Sequence, residues 1–197
     1  MARPTQFDPQ EKLQQAMQLF WRKGYKGASM QALVAEMGIN RFSIYNTFGD
    51  KEALFVKALE YYGDTVTQAL INQLQPAENG LPQLFHYLDV LQQKVDGPTA
   101  GMGCLLQNTV LESVGSDRIA LSVESIFRRK RQALFELISA ARQQGQLITS
   151  LDAEACADFV LAQVQGAIIL RKALGAEAFK RSLAVLRGTI EQWATVL

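Results

Sequence analysis

Apolar residues recur along nearly the whole chain at the three- and four-residue spacing of amphipathic helices, and no run alternates with the period of a strand. Leu13, Met17, Phe20 and Trp21 form the first stripe. Asp8-Pro9-Gln10-Glu11 is a suitable start for it: Asp8 caps, Pro9 fits the first helical position and Glu11 completes a capping box. The stripe stops at Gly24, inside Lys23-Gly24-Tyr25-Lys26-Gly27, where two glycines supply the freedom of a turn. Ser29 then caps a short helix carrying Met30, Leu33, Val34 and Met37 and ending at Gly38. Asn40 caps another, Arg41 to Thr47, with Ile44 facing inward, and Asp50 caps a longer one with Leu54, Phe55, Ala58, Leu59 and Tyr62. Residues 75–80 read as a loop, Pro82 opens the next helix, and 96–103 form a glycine-rich break. Further helices are expected over about 104–113, 117–144, 152–173 and 176–195. The pattern predicts an all-α chain: a three-helix head over 8–48, a larger helical body over 49–197, and the helix from Asp50 joining them.

The segment from Ser29 to Phe48 is the one that suggests a function. A helix, a tight turn at Gly38 and a second short helix make a helix-turn-helix, in which the first helix props the second in the DNA major groove. Ala35 is expected where the two helices approach closely, with Ile39 and Ile44 filling the space between them. The outer face of the second helix offers Asn40, Arg41, Ser43, Tyr45, Asn46 and Thr47. Arginine reads guanine, asparagine reads adenine, and hydroxyls mostly hold the backbone. The competing reading of the same pattern is an ordinary helical hairpin with a polar face in water.

Composition changes this picture little. The net charge of +1 favours no partner, although residues 1–60 hold eight basic and six acidic side chains and the remainder 12 and 13. No apolar run approaches the roughly 20 residues of a membrane span, and the N-terminus lacks the apolar core of a secretion signal. Cys104 and Cys156 are too far apart to form a metal motif or a disulfide framework, which suits a reducing cytoplasm. His86 is the only histidine, so a multi-histidine zinc site is excluded. Neither an activated-nucleophile motif nor a phosphate loop appears, so no catalytic residue, metal or cofactor is expected.

The run Gly24-Tyr25, Ser29, Ala35, Gly38, Tyr45, Phe48 and Asp50-Lys51-Glu52 resembles the DNA-binding head of the TetR family of bacterial regulators, over residues 9–60. The resemblance implies a homodimeric transcriptional repressor that binds a palindromic operator and is released by a small-molecule effector. It implies phosphate contacts from Ser29, Tyr45 and Lys51, and base or sugar contacts from Asn40, Arg41, Phe42, Ser43 and Asn46. Phe42 stands where the family more often has a small residue; it either packs on a thymine methyl or tucks inward. Thr47 replaces a more usual aromatic residue or histidine, which weakens one expected phosphate contact.

For the body, the resemblance implies an effector pocket. Aromatic and polar residues available to it are Tyr61, Tyr62, Phe85, His86, Tyr87, Asn108 and Phe127, each with ordinary packing as its competing reading. Cys104 begins a helix after the glycine-rich break, where a thiolate is favoured. A thiol-based sensor of oxidants or electrophiles is therefore an alternative, set against a small buried cysteine that only anchors its helix. A helical interaction protein with no operator is the second alternative. Two stripes, Phe159-Val160-Gln163-Val164-Ala167-Leu170 and Leu183-Leu186-Ile190-Trp193, are expected at a four-helix dimer interface, with Ala162, Gly166 and Ala167 permitting close approach. The basic run Arg128-Arg129-Lys130-Arg131 is expected on a solvated helix face.

Overall fold

The computed structural model describes residues 7–74, 80–97, 99 and 101–195; the residues before Phe7, most of the expected loop at 75–80, and Pro98 and Ala100 lie outside them. Among the described residues ten α-helices follow one another: α1 Pro9–Gly27, α2 Met30–Met37, α3 Arg41–Phe48, α4 Lys51–Tyr62, α5 Gln68–Ile71, α6 Leu81–Gln93, α7 Leu105–Glu112, α8 Asp117–Gln143, α9 Ala153–Leu174 and α10 Ala176–Glu191. A π-helical turn, Gly63–Thr67, follows α4, and no strand forms among the described residues beyond one isolated bridge between Leu147 and Ala194. The expected all-α class holds. Helix ends differ from the pattern by a few residues: α10 stops at Glu191 rather than near 195, while the first helix breaks at Gly24 as expected before a last turn to Gly27.

The chain forms two compact units. One holds the residues through Thr65 together with Cys104–Ile126; the other holds Val66–Gly103 and the chain from Phe127 onward. These units do not follow the chain boundary at 48/49, because α4 is part of the first unit's core rather than a free connector. Its inward residues Leu54, Phe55, Ala58 and Leu59 are all fully buried. Phe55 meets Phe20 of α1 edge-on at 4.7 Å, and Tyr62 meets Trp21 in the same way at 4.9 Å.

Within this unit Gly24 interrupts α1 at φ 73°, ψ 174°, a conformation that essentially only glycine adopts. The interruption is fixed from a distance in sequence. The Glu112 carboxylate at the end of α7 accepts the N–H groups of Tyr25 at 2.8 Å and Lys26 at 2.6 Å, while the Lys26 ammonium donates to the Glu112 carbonyl at 3.0 Å. Backbone donors that the broken helix cannot use are thereby satisfied.

In the second unit Leu84, Leu88, Leu137, Val160, Val164, Leu183 and Leu186 pack into one core. One expectation is refined here and one is corrected. Of the two stripes expected at an interface, Val160, Val164 and Ala167 of α9 and Leu183, Leu186 and Ile190 of α10 are buried in the protomer's own core, while Phe159, Gln163 and Leu170 of α9 are exposed. The apolar side chains that α9 leaves outside include Phe159, Ile169 and Leu170, and Leu174 is exposed at its C-terminal end. Nor is the basic run a solvated face, since four consecutive helical residues step by 100° and cannot share one face. Lys130 is only 6% exposed, its ammonium 5.5 Å from the Phe127 ring centre, and Arg131 turns to α9, where it pairs with Asp158 at 2.6 Å and Glu154 at 3.2 Å. Those bonds raise the Arg131 pKa and lower that of Asp158. By length and composition alone α9 is apolar enough to span a bilayer, although Asp158, Gln163 and Gln165 interrupt its apolar residues. Its side chains Ala157, Val160, Val164 and Ala167 are core residues of the second unit.

Candidate nucleic-acid interface

Three side-chain caps build the helix-turn-helix and the helix after it. Ser29 Oγ accepts the Ala32 N–H at 3.1 Å, Asn40 Oδ1 that of Ser43 at 2.8 Å, and Asp50 Oδ1 that of Ala53 at 2.8 Å. Each cap satisfies one of the four amides a helix start leaves open. These bonds use Ser29 and Asn40 only as acceptors, leaving the hydroxyl hydrogen of Ser29 and the amide hydrogens of Asn40 for other acceptors. Between α2 and α3 the chain turns at Gly38, φ 62°, a left-handed position that glycine occupies without strain.

The burial pattern orients α3. Ile44 is fully buried and Phe48 nearly so, whereas Arg41, Phe42, Tyr45 and Asn46 are exposed and Ser43 and Thr47 are half-buried. On α2, Leu33 and Met37 provide the opposing apolar surface; Ile39 is only half-buried. Ala35 is exposed, so it does not mark the close approach. The reason is angular: Leu33 and Met37 fix the inner face of α2, and Ala35 falls on the opposite side. Phe42 is 74% exposed, which excludes the inward-tucked alternative.

Two neighbouring edges run along the exposed side of α3. On one, the Arg41 guanidinium lies over the Tyr45 ring, 5.5 Å from its centre, and donates to the Tyr45 hydroxyl at 3.2 Å. On the other, Phe42 and Asn46 stand one turn apart. Lys57 of α4, which the sequence pattern does not single out, donates to the Thr47 carbonyl at 3.4 Å and adds a cation at the C-terminal end of α3. Ten residues separate the two, so no motif spacing signals it.

Lys51 begins α4 half-buried, with its ammonium 4.6 Å from the centre of the Tyr25 ring. Burial lowers its pKa, partly opposed by the charge of Glu112. The Tyr25 pKa is raised, first by burial and then by Glu52, Asp50 and Glu112.

The residues considered for an effector divide between the two units. In the first, Tyr62 is buried with its hydroxyl 3.8 Å from Cys104 Sγ; Cys104 is 4% exposed and stands at the N-cap of α7. Burial and the adjacent thiol hold the Tyr62 pKa well above its ordinary value. Tyr61 and Asn108 are half-buried nearby in the chain. In the second unit, Phe85 carries the Arg187 guanidinium 4.8 Å from its ring centre, and exposed His86 bonds the Gln73 side chain at 3.2 Å. Arg187 also pairs with Asp89, Tyr87 is buried in the core, and Phe127 lies beneath Lys130. Tyr62 and Cys104 are thus brought together, whereas Phe85, His86 and Phe127 each have a separate neighbour.

Residues 13–58 match the family model for bacterial regulatory proteins of the TetR family, and residues 80–186 match that for the tetracycline-repressor-like C-terminal domain. The chain belongs to the TetR family. Among TetR-family relatives, the transcriptional repressor DhaR of Mycobacterium sp. (strain GP1) is 27% identical, over 83% of this chain and 81% of the relative. The repressor ComR of Escherichia coli is 25% identical, over 97% and 91%. A solved cysteine mutant of the TetR-family regulator CifR, complexed with a 26-base-pair operator duplex, superposes with a TM-score of 0.77 at 28% identity, covering 97% of this chain and all of that one. The protein is therefore a DNA-binding transcription regulator of this family, and the reading as an interaction protein without an operator loses its support.

Proposed function

We propose that the protein represses transcription in the cytoplasm as a homodimer on a palindromic operator, and that a small molecule bound in its body releases it. The observation that carries this reading is the sidedness of α3: Ile44 and Phe48 anchor it inward, and Arg41, Phe42, Tyr45 and Asn46 face out. Ser29, at a helix N-terminus, and Tyr45 and Lys51 then grip phosphates. Arg41 and Asn46 read base edges, while Asn40, Ser43 and Thr47 bond sugar, phosphate or base. The operator complex of CifR and the repressor names of DhaR and ComR are consistent with these roles.

Dimerisation is supported by the outward face of α9. Ala155, Phe159, Ala162, Gly166, Ile169 and Ala173 recur there at three- and four-residue spacing with Leu170 beside them, a mixture of small and large residues. Such a face suits a helix bundle between two copies. For release, an effector beside Tyr61 and Tyr62 would tilt α4, which carries Lys51 at its other end. The effector can shift that equilibrium only by its difference in affinity for the two states, so DNA and effector weaken each other equally. The test is to select fragments bound from a pool of random duplexes. A dyad-symmetric consensus is expected; retention without sequence enrichment would overturn the reading.

One observation favours a second trigger. The Cys104 thiol lies against the Tyr62 hydroxyl at the start of α7, so addition of an electrophile to its sulfur would displace Tyr62 and hence α4. Cys104→Ser would abolish a response of this kind and leave a reversible effector's response intact.

A further inference from the structure

Phe42 is more exposed than any other large apolar side chain among the described residues, at 74%. A phenyl ring left in water contributes nothing to the protomer's folding and is a standing invitation to association, so its place on the molecule matters. It does not lie in an apolar patch of α3. Its neighbours one turn along that helix are exposed Tyr45 and Asn46, with exposed Arg41 and half-buried Ser43 to either side, a set of hydrogen-bonding groups. A polar set in which Phe42 is the one exposed ring without a polar group is a poor surface for another protein's apolar face. It matches the floor of a major groove, where the only apolar feature among acceptors and donors is the C5-methyl of thymine.

The arrangement of the two edges sharpens the assignment. Arg41 is drawn onto Tyr45, so this pair occupies one edge of α3 and leaves the Phe42–Asn46 edge to itself. Asparagine pairs bidentately with adenine in the groove. We propose, building on the operator reading above, that Phe42 packs on a thymine methyl group in each half-site. With Asn46 one turn away, it makes this edge of α3 a reader of A·T pairs.

The probe is the tightest duplex recovered from the random pool, with thymines replaced by deoxyuridine at one symmetry-related pair of positions at a time. Uracil pairs as thymine does and lacks only the methyl. One such pair of replacements is expected to weaken binding about fourfold per half-site, the worth of one buried methyl group, and roughly 15-fold for the dimer. In Phe42→Ala, with helix content unchanged by circular dichroism, the same replacements should have no further effect. An enriched duplex that tolerates uracil at every position defeats this inference alone, as does Phe42→Ala that stays uracil-sensitive. A pool that enriches nothing defeats the operator reading and this inference with it.

Discussion

Glu112→Ala removes the carboxylate that holds the break in α1. Two backbone donors lose their acceptor, the half-buried N–H of Tyr25 at 2.8 Å and the exposed N–H of Lys26 at 2.6 Å. A hydrogen bond to a charged group contributes about 1.5–3 kcal/mol when sheltered, and much less where water can replace it. Tyr25 is thus worth about 1.5 kcal/mol and Lys26 a few tenths, a total near 2 kcal/mol. For a chain of this length that lowers the melting temperature by about 4–8 °C. Glu112→Gln retains one carbonyl acceptor and should lose roughly half as much. Gly24→Ala tests the same corner from the other side. A methyl there would approach Glu112 Oε2 to 2.9 Å, at a φ of +73° that alanine avoids, and about 1–3 kcal/mol of backbone strain is expected. In the double variant the clash disappears and the strain remains, so the two losses should not add. Urea unfolding with matched slopes reads all four proteins. Wild-type stability in Glu112→Ala would show that the corner holds without its long-range cap.

Other expectations follow from the interface. Tyr45→Phe and Lys51→Ala should weaken binding to specific and random DNA alike, and Lys51→Ala should reduce the salt slope by about one unit per protomer in gel-shift titrations; sequence-selective losses would assign both to bases. Arg41→Ala should change base preference, costing about 1–3 kcal/mol of discrimination, and equal weakening on all DNA would move Arg41 to the backbone. Burial lowers the Lys51 pKa in the free protein, and a phosphate beside it would restore the charged form. Affinity should therefore be constant below the lowered pKa and fall as pH rises through it on the alkaline side, a decline absent in Lys51→Gln. Ile169→Glu places a charge on the outward face of α9 and should yield monomers in sedimentation with helix content unchanged; an unaltered dimer would locate the interface elsewhere.

The helix-turn-helix was legible because its determinants are local. Ser29, Asn40 and Asp50 cap at their own positions, and Gly38 takes the turn conformation its sequence context demands. What the pattern misjudged involves choices between faces. Ala35 resembles a close-approach residue, yet the anchors Leu33 and Met37 rotate it to water. On α9 both sides are apolar, and periodicity cannot say which is claimed by the protomer's own core; Val160 and Val164 went inward and Phe159 and Leu170 outward. The Glu112 cap on Tyr25 and Lys26 was invisible, because it joins residues 86 and 87 positions apart. Lys130 stayed hidden for a related reason, its shelter coming from neighbours that no spacing rule brings together.

The central claim, two α3 helices on one dyad operator, is tested most directly by a hydroxyl-radical footprint of the tightest selected duplex. Two protected patches related by the dyad are expected, their centres about one helical turn apart, roughly 34–36 Å, or a multiple of it. A single patch without dyad symmetry, or uniform protection along the duplex, would contradict it.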